Sequence, residues 1–214
     1  FFIHNIKLTI YFLFHLYYIE SHDKERIRHK MNALKTLCIA LLSLGCATAA
    51  NAAGGTSSIV IDAQSGNILY ADKAEELRYP ASLTKLMTLY ITFNALETGK
   101  LKFSDKLKVS STAASRSPSK LGMPAGSYID VKTAVEALIV KSANDCATVL
   151  AEALSPSEAE FAKLMTKTAR KLGMYRTTFK NASGLPNSAQ KTTAKDLAIL
   201  GAAVYHHFPQ YYHL

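Results

Sequence analysis

After Thr56 the chain shows a strand pattern at one place and helical periodicity through most of the remainder, an imbalance that narrows the possible folds. Residues 57–62 and 67–71 are short β-branched and apolar runs. Between them lies Ala63-Gln64-Ser65-Gly66, whose glycine permits the positive φ that a tight hairpin needs. Two antiparallel strands therefore open the domain, and helices follow. The expected class is α+β, an antiparallel sheet covered by helices.

The first helix follows Pro80, which cannot extend a strand interior. Leu83, Leu86, Met87, Tyr90 and Ile91 then share one helical face, and Gly99 ends it. Residues 131–141 form an amphipathic helix with Val131, Val135, Leu138 and Ile139 inward and Asp130 as N-cap. Apolar residues 145–154 continue beyond Ser142-Ala143-Asn144, so that triplet falls at an interhelical turn. Ser155-Pro156-Ser157-Glu158 reads as a capping box with proline at N1, opening a helix through Phe161, Leu164, Met165 and Ala169 to Gly173. Thr193 and Asp196 start another over residues 194–207. Lys100, Lys102, Lys106 and Lys108 read as a solvated face.

Ser82-Leu83-Thr84-Lys85 stands at the head of the first helix. Unpaired N–H groups and the positive end of the dipole there favour a developing alkoxide, and Lys85 shares the serine's face. An ordinary lysine is protonated at neutral pH and is a poor base. Burial and the helix N-terminus both disfavour its charged form. Ser82 and Lys85 can then act as nucleophile and base. By itself the tetrad also fits a helix-start serine with an exposed lysine one turn on. Ser142 and Asn144 add a hydroxyl able to pass a proton and an amide able to bond a substrate amide, although both can also merely cap helices.

The N-terminus has a different character. Residues 1–30 run from Phe1 through Ile10-Tyr11-Phe12-Leu13-Phe14 to Asp23-Lys24-Glu25-Arg26-Ile27-Arg28, and are expected to be non-native upstream translation. The competing reading is a membrane anchor over residues 1–19, interrupted by His4, Lys7 and His15. From Met31 a secretory signal starts afresh: Lys35, an apolar run over residues 37–44 too short to span a bilayer, and Ala50-Asn51-Ala52 as cleavage site. Residues 31–53 are thus the expected export signal. Cys38 and Cys46 fall inside it, which leaves Cys146 alone in the mature chain without an internal disulfide. Cys46 as a lipoprotein acceptor is disfavoured by Ser43 and Leu44. Cys146 reads as a small buried hydrophobe. Six of the 25 Lys/Arg and three of the 16 Asp/Glu lie before residue 54, so the mature chain stays basic, suited to an anionic polymer or membrane surface. A pI near 9.4 with no nucleic-acid motif does not argue for nucleic-acid binding. His206-His207 reads as a helix terminus; adjacent histidines point to different faces, so no metal is expected.

Tyr79-Pro80-Ala81-Ser82-Leu83-Thr84-Lys85-Leu86-Met87-Thr88 resembles the active-site helix of the low-molecular-mass penicillin-binding proteins, the serine-type D-alanyl-D-alanine carboxypeptidases of the peptidase S11 family. Gly122-Met123-Pro124-Ala125-Gly126 and Leu138-Ile139-Val140-Lys141-Ser142-Ala143-Asn144-Asp145 resemble the turn before the second motif and that motif itself. Phe179-Lys180-Asn181-Ala182-Ser183-Gly184-Leu185-Pro186 and Thr192-Thr193-Ala194-Lys195-Asp196-Leu197-Ala198 resemble later landmarks in the same order. The resemblance implies a DD-peptidase/β-lactamase-like fold with a helical subdomain, over residues 54–214. It implies Ser82 as nucleophile towards the penultimate D-alanine of a peptidoglycan stem peptide, Lys85 as its base, Ser142 as relay to the departing D-alanine, and Asn144 as a contact to the substrate backbone. It implies no cofactor, β-lactams as covalent inhibitors acylating Ser82, a periplasmic or cell-envelope location, and an inner-membrane surface as a further partner of the full-length protein.

One departure stands out. The family's third motif, Lys-Thr-Gly, binds the substrate carboxylate and supplies part of the oxyanion hole from a strand on the opposite side of the cleft. Here Lys35-Thr36, Lys132-Thr133, Lys167-Thr168 and Lys191-Thr192 all lack the following glycine. The expectation is a domain incomplete at its C-terminus, lacking the later strands of the sheet, folding poorly and inactive alone, since a two-stranded hairpin is marginal by itself. A class A β-lactamase is disfavoured by Ala143, where that group has aspartate, and by the lack of a Glu-x-x-Leu-Asn loop after Asn144. A D,D-endopeptidase of the same family and a non-catalytic penicillin-binding fragment remain as alternatives.

Overall fold

In the computed structural model, which describes residues 56–212 and 214, β1 (Ser58–Ile61) and β2 (Ile68–Asp72) form the expected antiparallel hairpin. The expected upstream segment 1–30 and export signal 31–53, with Cys38 and Cys46, lie outside the described residues. Asp62 closes the turn: its Oδ1 accepts from Ser65 N at 2.7 Å and Gln64 N at 3.1 Å, while Gly66 takes φ +73°. Ile59 of β1 is buried against Ala194 and Ala198. Every residue of β2 is exposed.

The next helix, α1 (Thr84–Glu97), is entered through a 3₁₀ turn, Ala81–Leu83, and is followed by Gly99 at φ +68°. It is not one-faced as its spacing predicts. Met87, Leu89, Ile91, Phe93 and Ala95 are buried, and so are Thr84, Lys85, Thr88 and Thr92, because later helices wrap the polar side as well. Two of its three buried hydroxyls are satisfied internally, while Thr84 Oγ1 has no hydrogen-bond partner among the described residues. Thr92 Oγ1 donates back to Thr88 O at 2.8 Å, and Thr88 Oγ1 donates to Ala182 O at 2.7 Å.

A second small hairpin, β3 (Lys106–Lys108) with β4 (Tyr128–Asp130), was not expected. Three residues per strand give too short an alternation to read. Leu107 and Ile129 nonetheless point into the core, while Lys106 and Lys108 are solvated as expected, Lys106 lying 3.5 Å from Asp130. Between the strands runs the short α2 (Ser111–Ala114), capped by Ser110.

Val131–Lys141 is α3, with Asp130 accepting from Thr133 N at 2.7 Å as the expected N-cap. Val131, Val135 and Leu138 face inward, but Ile139 is 39% exposed, since it lies at the edge of the buried stripe. The next helix, α4 (Asn144–Leu154), is buried from Asn144 to Ala151. Within it the Cys146 thiol is pushed up to about 12, chiefly by burial and then by Asp145, so it stays protonated and packs as a small apolar group.

For α5 (Glu158–Lys171) the cap is Ser157, which accepts from Glu160 N at 3.2 Å. The expected cap at Ser155 therefore moves two residues on, and Pro156 lies outside the helix. Phe161, Met165 and Ala169 are buried, and Gly173 at φ +90° follows the end. The last helix, α6 (Ala194–His207), starts as expected with Thr193 accepting from Asp196 N at 3.0 Å. Helices α3, α4, α5 and α6 all pack on α1. Among the described residues no helix is long and apolar enough to cross a membrane.

Burial separates positions that share a helix type. Phe161→Ala, in a fully buried site of α5, is expected to cost about 3–5 kcal/mol in urea denaturation, whereas Val140→Ala, at 83% exposure, should stay within about 0.5 kcal/mol.

Candidate functional site

Ser82 is presented on the exposed 3₁₀ turn immediately ahead of α1. The turn is held from below: Leu83 N donates to Pro80 O at 3.1 Å, and Thr84 N points at the Ala81 and Ser82 carbonyls. Ala81 takes φ +47°, a left-handed conformation that costs a non-glycine residue about 1 kcal/mol or more and that lifts the serine out of the helix.

Lys85 is the second residue of α1 and only 4% exposed. The reading of an exposed lysine one turn on is therefore excluded. Its Nζ donates to the Ser183 carbonyl at 2.7 Å. Burial pulls its pKa down from 10.5 to about 8. The helix N-terminus is not needed to explain that shift. A buried amine bonded to a neutral carbonyl, without a carboxylate partner among the described residues, loses hydration as an ammonium and gives up its proton more readily.

Sequence reasoning gave residues 181–184 no role, yet they form the other half of this arrangement. Asn181 Oδ1 accepts from Gly184 N at 2.7 Å and Ser183 N at 3.3 Å, and its Nδ2 donates to Leu185 O at 2.9 Å. That closes a tight turn. Gly184, at φ +88°, lies so close to the serine turn that a Cβ there would sit 1.8 Å from Ala81 O and 3.1 Å from Ser82 N. Only glycine fits both demands. The turn is fixed from outside as well: buried Gln190 Oε1 accepts from Lys180 N at 2.9 Å, and Glu158 Oε1 accepts from Ala182 N at 3.0 Å while its other oxygen pairs with Arg116. The Asn-x-x-Gly spacing is visible in the sequence as a turn; its partner nearly a hundred residues away is not.

The second motif lies where α3 meets α4, and α1 packs on both. Ser142 is half-buried in a left-handed conformation, φ +54° and ψ +40°, which ends α3 and turns the chain. Asn144 opens α4, with Ala143 rather than a polar side chain as its cap. Its amide is committed to the neighbouring loop: Nδ2 donates to Ser117 O at 2.8 Å and its backbone N to Ser119 O at 2.7 Å. Asp145, fully buried, accepts from Leu121 N at 3.0 Å and Gly122 N at 2.9 Å. The motif thus pins residues 117–122 onto the helix junction.

A cavity of about 660 Å³ lies elsewhere, lined by residues of the hairpin and of the 73–78 segment together with Arg176 and Lys195. None of Ser82, Lys85, Ser142 or Asn144 borders it. His206 and His207 are engaged by Ala63 O and the Tyr90 hydroxyl, and the described residues hold no group of three His, Cys, Asp or Glu able to bind a metal.

A family model described as D-alanyl-D-alanine carboxypeptidase matches residues 46–214. The chain belongs to the serine-type D-alanyl-D-alanine carboxypeptidase family. Carboxypeptidase DacF of Bacillus subtilis is 38% identical over 144 residues, 67% of this chain and 37% of its own length. Among solved structures, carboxypeptidase DacD of Francisella tularensis superposes with a TM-score of 0.70 at 36% identity, covering 71% of this chain and 37% of that one. Penicillin-binding protein D2 of Listeria monocytogenes, solved in a cefotaxime-bound form, gives 0.64 at 30% identity, over 72% of this chain and 63% of that one. These matches bear out the DD-peptidase fold class. The chain spans about two fifths of the length of the curated carboxypeptidases it matches.

Two outcomes are expected. Gly184→Ala should lower stability by about 1–3 kcal/mol or more, because the new methyl group collides with backbone rather than with a movable side chain. The second concerns pH: with Lys85 at about 8 folded and 10.5 as an ordinary lysine, the unfolded chain binds more protons between those values, so this group makes stability rise with pH from about 8 to 10.5. Lys85→Met should flatten that rise. A wild-type minus variant difference constant across this window in denaturation curves would contradict it.

Proposed function

We propose that the chain carries the acylation machinery of a serine D-alanyl-D-alanine carboxypeptidase acting on peptidoglycan stem peptides. The observation that carries this reading is Lys85, buried at about 8 one helical turn from an exposed serine, so that roughly a tenth of the amine is neutral at pH 7. That neutral amine takes the hydroxyl proton as Ser82 Oγ bonds to the carbonyl carbon of the penultimate D-alanine. The peptide C–N bond then breaks. The departing D-alanine amine takes a proton relayed through Ser142, and water cleaves the acyl ester, restoring Ser82 and releasing the shortened peptide as a carboxylate. Asn144, whose Nδ2 is bonded to Ser117, faces substrate in this reading with its Oδ1, accepting from a backbone N–H.

β-Lactams mimic the terminal D-alanyl-D-alanine and open onto Ser82 in the same way. The similarity to a relative solved with cefotaxime supports this. The export signal expected over residues 31–53 supports action in the periplasm or cell envelope, where peptidoglycan lies, with the inner-membrane surface beside it. A Lys-Thr-Gly sequence does not occur among the 214 residues, and the substrate carboxylate contact and part of the oxyanion hole that it supplies in the family are not provided by that motif here. Turnover by this chain alone is accordingly set ~10²–10³-fold or more below that of a protein with the full set of donors.

Labelled penicillin should mark Ser82 stoichiometrically, with a rate rising through a midpoint near 8. Ser82→Ala should take no label, and Lys85→Met should acylate at least ~10²-fold more slowly. Peptide mapping that finds the label elsewhere, or no label at saturating penicillin, would refute the proposal.

A further inference from the structure

We infer that Thr88 and Asn181 are positioning residues for the Ser82–Lys85 pair, clamping the 181–184 turn onto α1 so that it covers and orients the lysine amine. This rests on the reading of Lys85 as the base. Lys85 and Thr88 lie one turn apart on α1 and bind successive carbonyls of the same turn, Ser183 O and Ala182 O, each at 2.7 Å. Two bonds to adjacent peptides on two helical turns fix both the position and the rotation of the segment. They add to the hold that Gln190 and Glu158 take on Lys180 N and Ala182 N from outside. Thr88 is fully buried, so its hydroxyl has no exchange with water to fall back on, and removing it leaves the Ala182 carbonyl without that donor.

Asn181 makes the turn rigid from its own side. Its oxygen gathers the Ser183 and Gly184 N–H groups and its nitrogen holds Leu185 O. Gly184 then rests on the Ala81 carbonyl beneath the nucleophile. One clamp thereby touches both members of the pair: the base through Ser183 O, and the serine turn through Gly184.

The clamp is also the cover. The charged groups on the helices packed around α1 include Lys141 of α3, Asp145 of α4, Glu158 of α5 and Asp196 of α6; Glu158 touches the turn, through Ala182 N, and on α1's outer side Tyr90 meets His207. None of these charges lowers the Lys85 pKa, which falls through burial. Lifting the turn admits water and lets the amine return towards an ordinary lysine.

The test measures the rate of Ser82 acylation by labelled penicillin from pH 6 to 10 in the full chain and in Thr88→Val, Thr88→Ser and Asn181→Ala, alongside the ε-carbon resonance of Lys85 in ¹³C-lysine-labelled protein. Thr88→Val and Asn181→Ala are expected to move the midpoint up by about one unit, slowing acylation about tenfold at pH 7 while the high-pH plateau is largely kept. Thr88→Ser, which keeps the donor, should match the wild type. An unmoved midpoint overturns the inference, as does an equal loss at every pH, and so does unfolding of both Thr88→Val and Asn181→Ala, which would make the two residues merely structural. If the wild-type chain takes no label, the reading of Lys85 as base fails. The Lys85 resonance then decides the clamp by itself: identical titrations in wild type and Thr88→Val overturn it, and an upward move in the variant supports it.

Discussion

The contact between the Lys85 amine and the Ser183 carbonyl is the point on which the rest of the site turns. An ammonium at 4% exposure without a carboxylate partner among the described residues is costly, and the protein meets that cost by lowering the proton affinity. That choice leaves part of the amine neutral near neutral pH. It also dictates its surroundings. A carbonyl must reach α1 where helices usually present side chains, which is possible only if the incoming backbone approaches without a Cβ at Gly184 and with a hydroxyl at Thr88 to receive its second carbonyl. The remaining supports, Asn181, Gln190 and the Glu158–Arg116 pair, answer the N–H groups left over by that approach.

The second motif follows the same logic with opposite emphasis. Ser142 is half-buried on the left-handed backbone that ends α3, whereas Asn144 and Asp145 spend their polar atoms fixing residues 117–122. One residue is thus presented by a loop that its neighbours make rigid. α1 packs on both helices of this junction, so the two motifs share a core although neither is near the other in sequence. Chemistry sits at helix ends, where backbone geometry changes and side chains can leave the packed layers.

Much of this was legible in advance, and the residues show why. Asp130, Thr193 and Gly99 act as local signals, and their caps and stops fall where the sequence puts them. The placement of Ser82 and Lys85 at the head of α1 was readable from their spacing, whereas the depth of Lys85's burial was not. Ser155 was misread because two serines flank Pro156 and both take extended backbone, so spacing alone does not choose between them. The short β3–β4 pair carries too few residues for a period to register. Thr88, Asn181 and Gly184 were hidden for a different reason: each looks like an ordinary helix or turn residue until a segment from beyond α5 is folded back onto α1. Polar residues in a helix that is buried on several sides were the available clue, and a one-faced reading of α1 passed over it.

The core also explains where the fold is strong and where it is exposed. Met87 and Ile91 of α1 belong to the large cluster shared with α3, α4, α5 and part of α6, while Ile59 of β1 belongs to a separate small cluster with Ala194 and Ala198. Ile68, Leu69 and Tyr70 of β2 are more than half exposed. A two-stranded hairpin with such a strand has little to hold it beyond α6. The Ser82 turn draws its order from the large cluster and from the 181–184 turn, neither of which includes the hairpin. Weakness in the hairpin can therefore reach Lys85 through α6 and through the 73–78 segment, where Arg78 pairs with Thr192, while the lysine's burial is carried by the more completely packed part of the chain.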